Sequence, residues 1–133
     1  MLDMIESRIF TLIKSNVSDT IKKKYPDLNF TTSDMNATNP KFPTVYIHML
    51  DSPERGDTTE QDTIEAVYTT IQVDVTDNQK QSRASEVAKD ILKIMKQYGF
   101  KASTMPFSQN ESGSYRNIAR YSRLISNNDK IVN

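Results

Sequence analysis

The sequence predicts an α+β domain: an antiparallel or mixed sheet of four to five strands with two amphipathic helices on one face, in the order α-(β)-β-β-α-β-β. Two segments repeat apolar residues at three- and four-residue spacings, typical of helices, and a long segment between them alternates, typical of a strand with one buried face. The length of 133 residues allows one domain. We assign it to residues 1–126 and expect residues 127–133 to form a flexible tail.

The first helix is predicted over residues 3–24. Asp3 followed by Glu6 resembles a capping box, and Pro26 ends the helix. Its apolar stripe consists of Leu2, Ile5, Ile9, Leu12, Ile13, Val17 and Ile21. The polar residues 27–41 that follow predict mostly a loop, with one extra strand at residues 28–32.

Two strands and the segment between them occupy the middle of the chain. Residues 42–50 are apolar and β-prone on both faces, and Pro43 is allowed only at the start of such a strand or on an edge. Residues 63–76 alternate, which predicts a strand with one buried face. Between them, residues 51–62 hold five acids against one arginine. This hairpin is longer than a tight turn needs, so we expect its tip to make contacts.

The second helix is predicted to begin after a turn at residues 77–81, with Asn78 or Ser82 as its N-cap. Gly99 is expected to close its last turn in a left-handed conformation. A short strand at residues 100–105, a turn at residues 108–114 and a last strand at residues 117–126 complete the prediction.

The residue types that most enzymes use are sparse. The chain has no cysteine, which excludes disulfides, thiolate metal sites and a cysteine nucleophile. His48 is the single histidine, and the isolated Gly56, Gly99 and Gly113 form no phosphate-binding loop. A cation held by the carboxylates of residues 51–62 is the weaker alternative to a solvated loop, because their spacing follows no calcium-loop pattern. We therefore expect no enzymatic activity, no cofactor and no metal.

Charge and hydropathy restrict the partners. The formal net charge is zero, which argues against a dedicated nucleic-acid binder. Phosphate contact remains an alternative, because two tyrosines lie near Arg116, Arg120 and Arg123. Strand alternation, however, places Arg116 and Arg120 on the face opposite Arg123. The N-terminal residues contain no continuous apolar run, so we expect no signal peptide, no membrane span and assembly in a cytoplasm.

Several short motifs then share one order along the chain. They are Phe42-Pro43-Thr44-Val45, Ile71-Gln72-Val73-Asp74-Val75 before the second helix, Gly99-Phe100 after it, and Arg120-Tyr121 in the last strand. Over roughly residues 3–125 this layout resembles the tail terminator, or tail completion, proteins of long-tailed bacteriophages and phage-tail-like particles. The resemblance implies a structural virion protein that assembles as a ring, usually a hexamer, at the head-proximal end of the tail tube. There it would stop tube polymerisation and join the tail to the neck.

The partners implied by the resemblance are further copies of the chain, the tail tube protein and a neck or head-completion protein, with genomic DNA only passing through the ring. The alternatives are a neck or head-completion protein of the same particle and a small nucleic-acid-binding α+β domain. A tail terminator would bind the tail tube, whereas a neck or head-completion protein would bind the connector. Salt-dependent oligonucleotide binding would identify a nucleic-acid-binding domain.

The charges are unevenly distributed along the chain. Residues 1–77 carry a net charge of −6 and residues 78–133 a net charge of +6. A head-to-tail ring pairs unlike surfaces, so the acidic hairpin of one subunit is predicted to meet a basic surface of the second helix or last strand on its neighbour. The predicted interface residues are Asp51, Glu54, Arg55, Asp57, Glu60, Asp62, Arg116, Arg120 and Arg123.

Overall fold

The computed structural model describes residues 2–32, 41–50, 66–111, 113–126 and 128–131. The elements along these ranges are α1 (Leu2–Asn16), α2 (Asp19–Lys24), β1 (Asn29–Thr31), β2 (Thr44–Met49), β3 (Ala66–Asp77), α3 (Gln81–Gln97), β4 (Lys101–Ser108) and β5 (Tyr115–Ser126). The strands form one sheet in the order β1-β2-β3-β5-β4. The predicted α+β architecture is confirmed. The sheet is mixed, because β1 runs parallel to β2 while the other neighbours are antiparallel.

The prediction of a single helix over residues 3–24 is wrong, because the helix is interrupted at Ser18 and continues as a second helix. The backbone of Ser18 is extended, and its hydroxyl accepts the N–H of Ile21, which caps the start of α2. The N–H of Ser18 itself donates to the carboxylate of Asp90 on α3. The apolar stripe nevertheless continues across the break, since Ile13, Val17 and Ile21 are all buried.

The capping box predicted at Asp3 is also wrong. Helix α1 has already begun at Leu2, so Asp3 lies inside it. The carboxylate of Glu6 instead accepts a hydrogen bond from the backbone N–H of Met49 at 3.0 Å. This contact ties the first helix to the end of β2.

The centre of the domain is the pair of strands β3 and β5. They are hydrogen-bonded along their whole length, from Ala66 opposite Ser126 to Asp77 opposite Tyr115. The alternation predicted for β3 is confirmed, because its apolar side chains face the helices and are buried. The largest fully buried side chains of the whole core include Ile5, Ile9, Ile13, Ile47, Ile71, Val75, Val87, Ile91, Met95, Tyr121 and Ile125. Each contributes about 1.5–3 kcal/mol by its removal from water.

Helix α3 begins after a turn that a carboxylate organises. Neither Asn78 nor Ser82 is its N-cap: the cap position is Lys80, without a side-chain cap bond. The buried carboxylate of Asp77 accepts the N–H groups of Gln79 and Lys80 and the guanidinium Nε–H of Arg83. It therefore fixes the turn and the first turn of the helix together.

The C-terminal end of α3 agrees with the prediction. Gly99 has a φ of +88° and follows the last helical turn. The N–H of Phe100 donates to the carbonyl of Met95 and that of Gly99 to the carbonyl of Lys96. This is the Schellman arrangement, which requires a left-handed residue at the glycine position.

Strand β4 is longer than predicted and continues through Pro106 to Ser108. As the edge strand it tolerates a proline, and two register shifts against β5 interrupt its ladder. Beyond β5, the carboxylate of Asp129 accepts a hydrogen bond from Arg123. Ile131 is buried against the core.

Candidate interaction surface

The helices cover one face of the sheet, and in the described part of the chain no helix packs on the other. We call this the open face. Strand alternation and cross-strand register place there alternate side chains of β2, β3 and β5. They are Tyr46, His48, Tyr68, Thr70, Gln72, Asp74, Arg116, Ile118, Arg120, Ser122 and Leu124.

A chain of hydrogen bonds links two arginines across the open face. The Nε–H of Arg120 donates to the amide oxygen of Gln72 at 2.9 Å, and the amide nitrogen of Gln72 donates to Asp74 at 3.0 Å. The guanidinium of Arg116 donates to the second carboxylate oxygen of Asp74. Asp74 is buried, and each of its two carboxylate oxygens accepts a hydrogen bond, as a buried carboxylate requires. This hydrogen-bonded series of side chains contains two guanidinium groups and one carboxylate, so one positive charge is left without a negative partner within it.

A groove of about 370 Å³ opens beside these side chains. We call it the arginine groove. Phe107 is exposed, whereas Ile118 is buried by its neighbours on this face and takes no part in the main core. The two register shifts of β4 bend this edge of the sheet, which helps to make the surface concave. The lining residues are Gln72, Thr104, Phe107, Gln109, Arg116, Ile118 and Arg120.

A second apolar area lies toward the other end of the open face. Tyr68 and Leu124 are directly opposite each other on β3 and β5 and are 63% and 59% exposed. On β2, level with the groove and opposite Asp74 and Gln72, the rings of Tyr46 and His48 stack with centroids 4.2 Å apart. The Nδ1 atom of His48 is buried and has no hydrogen-bond partner among the described residues. The open face thus combines aromatic surface with arginines.

The structure separates the three arginines singled out in the sequence. Arg116 and Arg120 line the same groove, as alternation predicts. Arg123 lies on the helix side, where it donates to Asp129 at 2.6 Å and its guanidinium lies 5.8 Å from the centre of the Phe100 ring. The other predicted interface residues lie outside the described residues; they are Asp51, Glu54, Arg55, Asp57, Glu60 and Asp62.

Of the residues that line the arginine groove, the predicted interface contains only Arg116 and Arg120; Gln72 and Phe107, and Asp74 beside the groove, are outside it. Gln72 and Asp74 alternate with the apolar positions of β3, which indicates the face on which they lie but not that they bond the arginines. Phe107 follows Pro106 in a stretch that was assigned to no strand. Only the register of β5 against its two neighbours brings these side chains together.

The charge difference between the two parts of the chain is partly neutralised inside the fold. Asp74 pairs with Arg116 and Asp77 with Arg83, so each of these ion pairs joins an acidic residue of the first part to a basic residue of the second. The ion pair of Lys24 with Glu86 joins the same two parts with the charges the other way round. The outer face of α3 keeps exposed lysines that form no ion pair with a described residue: Lys89, Lys93 and Lys96.

A second concavity of about 550 Å³ lies between α1 and residues 130–131. Its lining is made mainly of hydroxyl and amide side chains with Arg8 and Lys130 at its border. It has none of the paired, buried polar groups that distinguish the arginine groove.

No protein-family model matches the chain, and no curated protein is similar to it. Among the helices that the structure describes, none is both long and apolar enough to cross a membrane. Within the same ranges, no three His, Asp or Glu side chains cluster as a metal-binding group. The open face is therefore interpreted from its own geometry.

Proposed function

We propose that the chain is a tail terminator of a long-tailed bacteriophage or a phage-tail-like particle. It is a structural, non-enzymatic subunit that forms a hexameric ring at the head-proximal end of the tail tube, stops tube growth and joins the tail to the neck. The observation that carries this proposal is the open face, where exposed aromatic and aliphatic side chains stand beside a groove bordered by two arginines. Aromatic residues and arginine are the residue types enriched in protein–protein interfaces.

The presence of unlike surfaces on the subunit supports this proposal, because a closed head-to-tail ring needs two unlike surfaces on every subunit. Among its described residues the subunit offers two, the open face and the lysine-bearing outer face of α3, and the sequence adds the acidic residues 51–62. In this role the chain binds copies of itself, the tail tube protein and a neck protein, and genomic DNA passes through the ring without being held. Its place is the virion, after assembly in the host cytoplasm.

The test is to add the purified chain to tail tube protein during tube assembly. We expect tubes of limited length that carry a ring at one end in negative-stain images, and particles near six times 15.2 kDa in native mass spectrometry. Tubes that grow without limit and carry no additional density would contradict the proposal. Binding to the connector, with no effect on the tubes, would instead identify a neck or head-completion protein.

A nucleic-acid-binding domain is the second candidate. The observation in its favour is that Phe107 lies beside Arg116 and Arg120, since base stacking and phosphate contact use these residue types. Against it, Asp74 already neutralises Arg116. Binding to a generic single-stranded oligonucleotide that weakens steeply with salt would favour this candidate, and its absence would exclude it.

A further inference from the structure

We infer that the arginine groove is the docking site for the acidic segment, residues 51–62, of a second copy of this chain. The inference rests on the proposed ring, because it names the contact through which one subunit would hold the next. It goes further by selecting one of several basic surfaces and one end of the sheet.

The charges of the two surfaces are complementary. The acidic segment carries five carboxylates and one arginine, a net charge of −4. The groove presents Arg116 and Arg120 with one carboxylate between them, a net charge of +1. The exposed guanidinium of Arg120 bonds the described residues only through its Nε–H to Gln72. Its terminal nitrogens therefore remain available to a carboxylate from another molecule.

The described residues that flank the acidic segment lie toward one end of the sheet, and the groove extends from the pair Gln72 and Arg120 toward the other end. Leu50, just before the segment, donates its N–H to Thr70, and Ala66, just after it, lies opposite Ser126. Arg120 lies opposite Gln72, six residues beyond Ala66 along β3, and Arg116 lies opposite Thr76, ten residues beyond Ala66. At the rise of a strand the longer distance is about 33 Å. A contact between two unlike surfaces of two copies repeats head to tail from copy to copy, which is the geometry of a ring or a filament.

The other basic surfaces are less suitable for this segment. The guanidinium of Arg123 is already bonded to Asp129 on the helix side. Lys89, Lys93 and Lys96 project from a convex helix, and ordering such long side chains costs conformational entropy. In the groove, hydrogen bonds already orient the arginines, and exposed Phe107 supplies apolar surface beside them. Binding there loses less entropy.

The absence of cysteine from the chain allows a direct test by cross-linking. One preparation carries Thr59→Cys in the acidic segment. A second, isotopically labelled preparation carries Thr104→Cys in the groove, or Gln109→Cys where Thr104→Cys fails to fold. The two are mixed and oxidised, and disulfides are identified by mass spectrometry. The matched control replaces Thr104→Cys with Lys93→Cys on the outer face of α3.

We expect a disulfide between the labelled and unlabelled copies for the groove cysteine and a background yield for the α3 cysteine. Arg120→Glu on the groove copy should lower the yield by roughly tenfold, whereas Lys96→Glu, with the same change in charge, should leave it unchanged. When the groove copy carries Arg120→Glu and the segment copy carries Asp57→Lys and Glu60→Lys, the charges on both sides are reversed. The disulfide yield should then be restored.

Three results would overturn the inference: a groove yield no higher than the α3 control, a yield insensitive to Arg120→Glu, or a T59C/T104C double variant that closes only within one chain. The proposed function is judged separately, by the ring on the tail tube. A positive cross-link with tubes that remain uncapped would reject the terminator role and retain the docking site. Tubes that carry a ring, together with no cross-link above the control, would reject the docking site and retain the terminator role.

Discussion

The carboxylate of Asp74 accepts a hydrogen bond from the guanidinium of Arg116 at 2.9 Å across the two central strands, and 5% of the Asp74 side chain is exposed. A buried carboxylate is stable only when it is paired and hydrogen-bonded. Arg116 therefore has two roles, since it neutralises a charge beneath the open face and lines the groove above it. Stability and recognition depend on the same side chain, so variants must be chosen to separate them.

The first prediction concerns this ion pair. Arg116→Met should lower the free energy of unfolding by about 3 kcal/mol, because Asp74 then remains buried without a cation. Arg120→Met is the matched control and should cost less than about 1 kcal/mol, since that side chain is exposed and bonds a neutral amide. Adding Asp74→Asn to Arg116→Met should recover most of the loss. Urea unfolding followed by circular dichroism measures all three, and equal losses for the two arginine variants would contradict the argument.

The second prediction concerns pH. Burial raises the pKa of Asp77, but hydrogen bonds from the N–H groups of Lys80 and Gln79 and from Arg83 outweigh burial, so the pKa lies below its ordinary value of 3.8. A carboxyl group with a lowered folded-state pKa stabilises the fold above its unfolded pKa, and the stabilisation is lost as the pH falls through the folded value. Asp77→Asn should therefore destabilise the domain at pH 7 and flatten the decline in unfolding free energy below about pH 4.

Urea unfolding of the wild type and the Asp77→Asn variant between neutral and acidic pH measures this difference. A residual decline is expected from Glu86, because hydrogen bonds from Lys24 and Tyr25 also lower its pKa. Parallel stability curves for the two proteins would show that Asp77 has the same pKa in the folded and unfolded chain.

The third prediction concerns Gly99 and Gly113, the two glycines with positive φ in the part of the chain that the structure describes. A Cβ on Gly99 would lie 3.2 Å from Nε of Arg123, whereas a Cβ on Gly113 would meet nothing within 4 Å. Both alanine variants incur the left-handed backbone cost of about 1 kcal/mol. Gly99→Ala should cost about 1 kcal/mol more, since Arg123, which is bonded to Asp129, must shift by a few tenths of an ångström. Thermal unfolding of both variants measures this difference. Equal decreases in the unfolding temperature would show that Arg123 moves aside without cost.

The fourth prediction concerns the contact between α2 and α3. The hydroxyl of buried Tyr25 donates to the carboxylate of Glu86. Tyr25→Phe keeps the packed ring and removes this bond, so it should cost about 1 kcal/mol of unfolding free energy. Tyr98→Phe is the control, because its hydroxyl donates to exposed Asn16 at 3.3 Å and its loss should cost less than about 0.5 kcal/mol. Chemical unfolding of both variants checks this, and an equal cost would be contrary to expectation.

Local patterns in the sequence predicted most of the elements because burial follows periodicity. The buried face of β3 and the glycine stop of α3 both come from short-range geometry. The break at Ser18 does not, because its apolar stripe is continuous and the bond to Asp90 joins residues 72 positions apart. The parallel direction of β1 against β2 is likewise a long-range property with no local signal.

The candidate surface was predictable only in part. Alternation along the last strand places Arg116 and Arg120 on one face and Arg123 on the other. The partners of these arginines depend on which residues of β3 lie opposite β5, and the groove depends on the irregular edge strand β4. Phe107 enters the surface for that reason, since a register shift separates it from Thr104.

The central position of β5 also has a consequence for synthesis of the chain. The strands that pair most extensively, β3 and β5, join residues 38 to 60 positions apart, and β5 is the last strand to be made. Until it emerges from the ribosome, β3 has an unpaired edge and the core lacks Tyr121 and Ile125. A nascent or truncated chain that stops before residue 115 therefore exposes an adhesive strand, and we expect it to need chaperone protection that the finished domain does not.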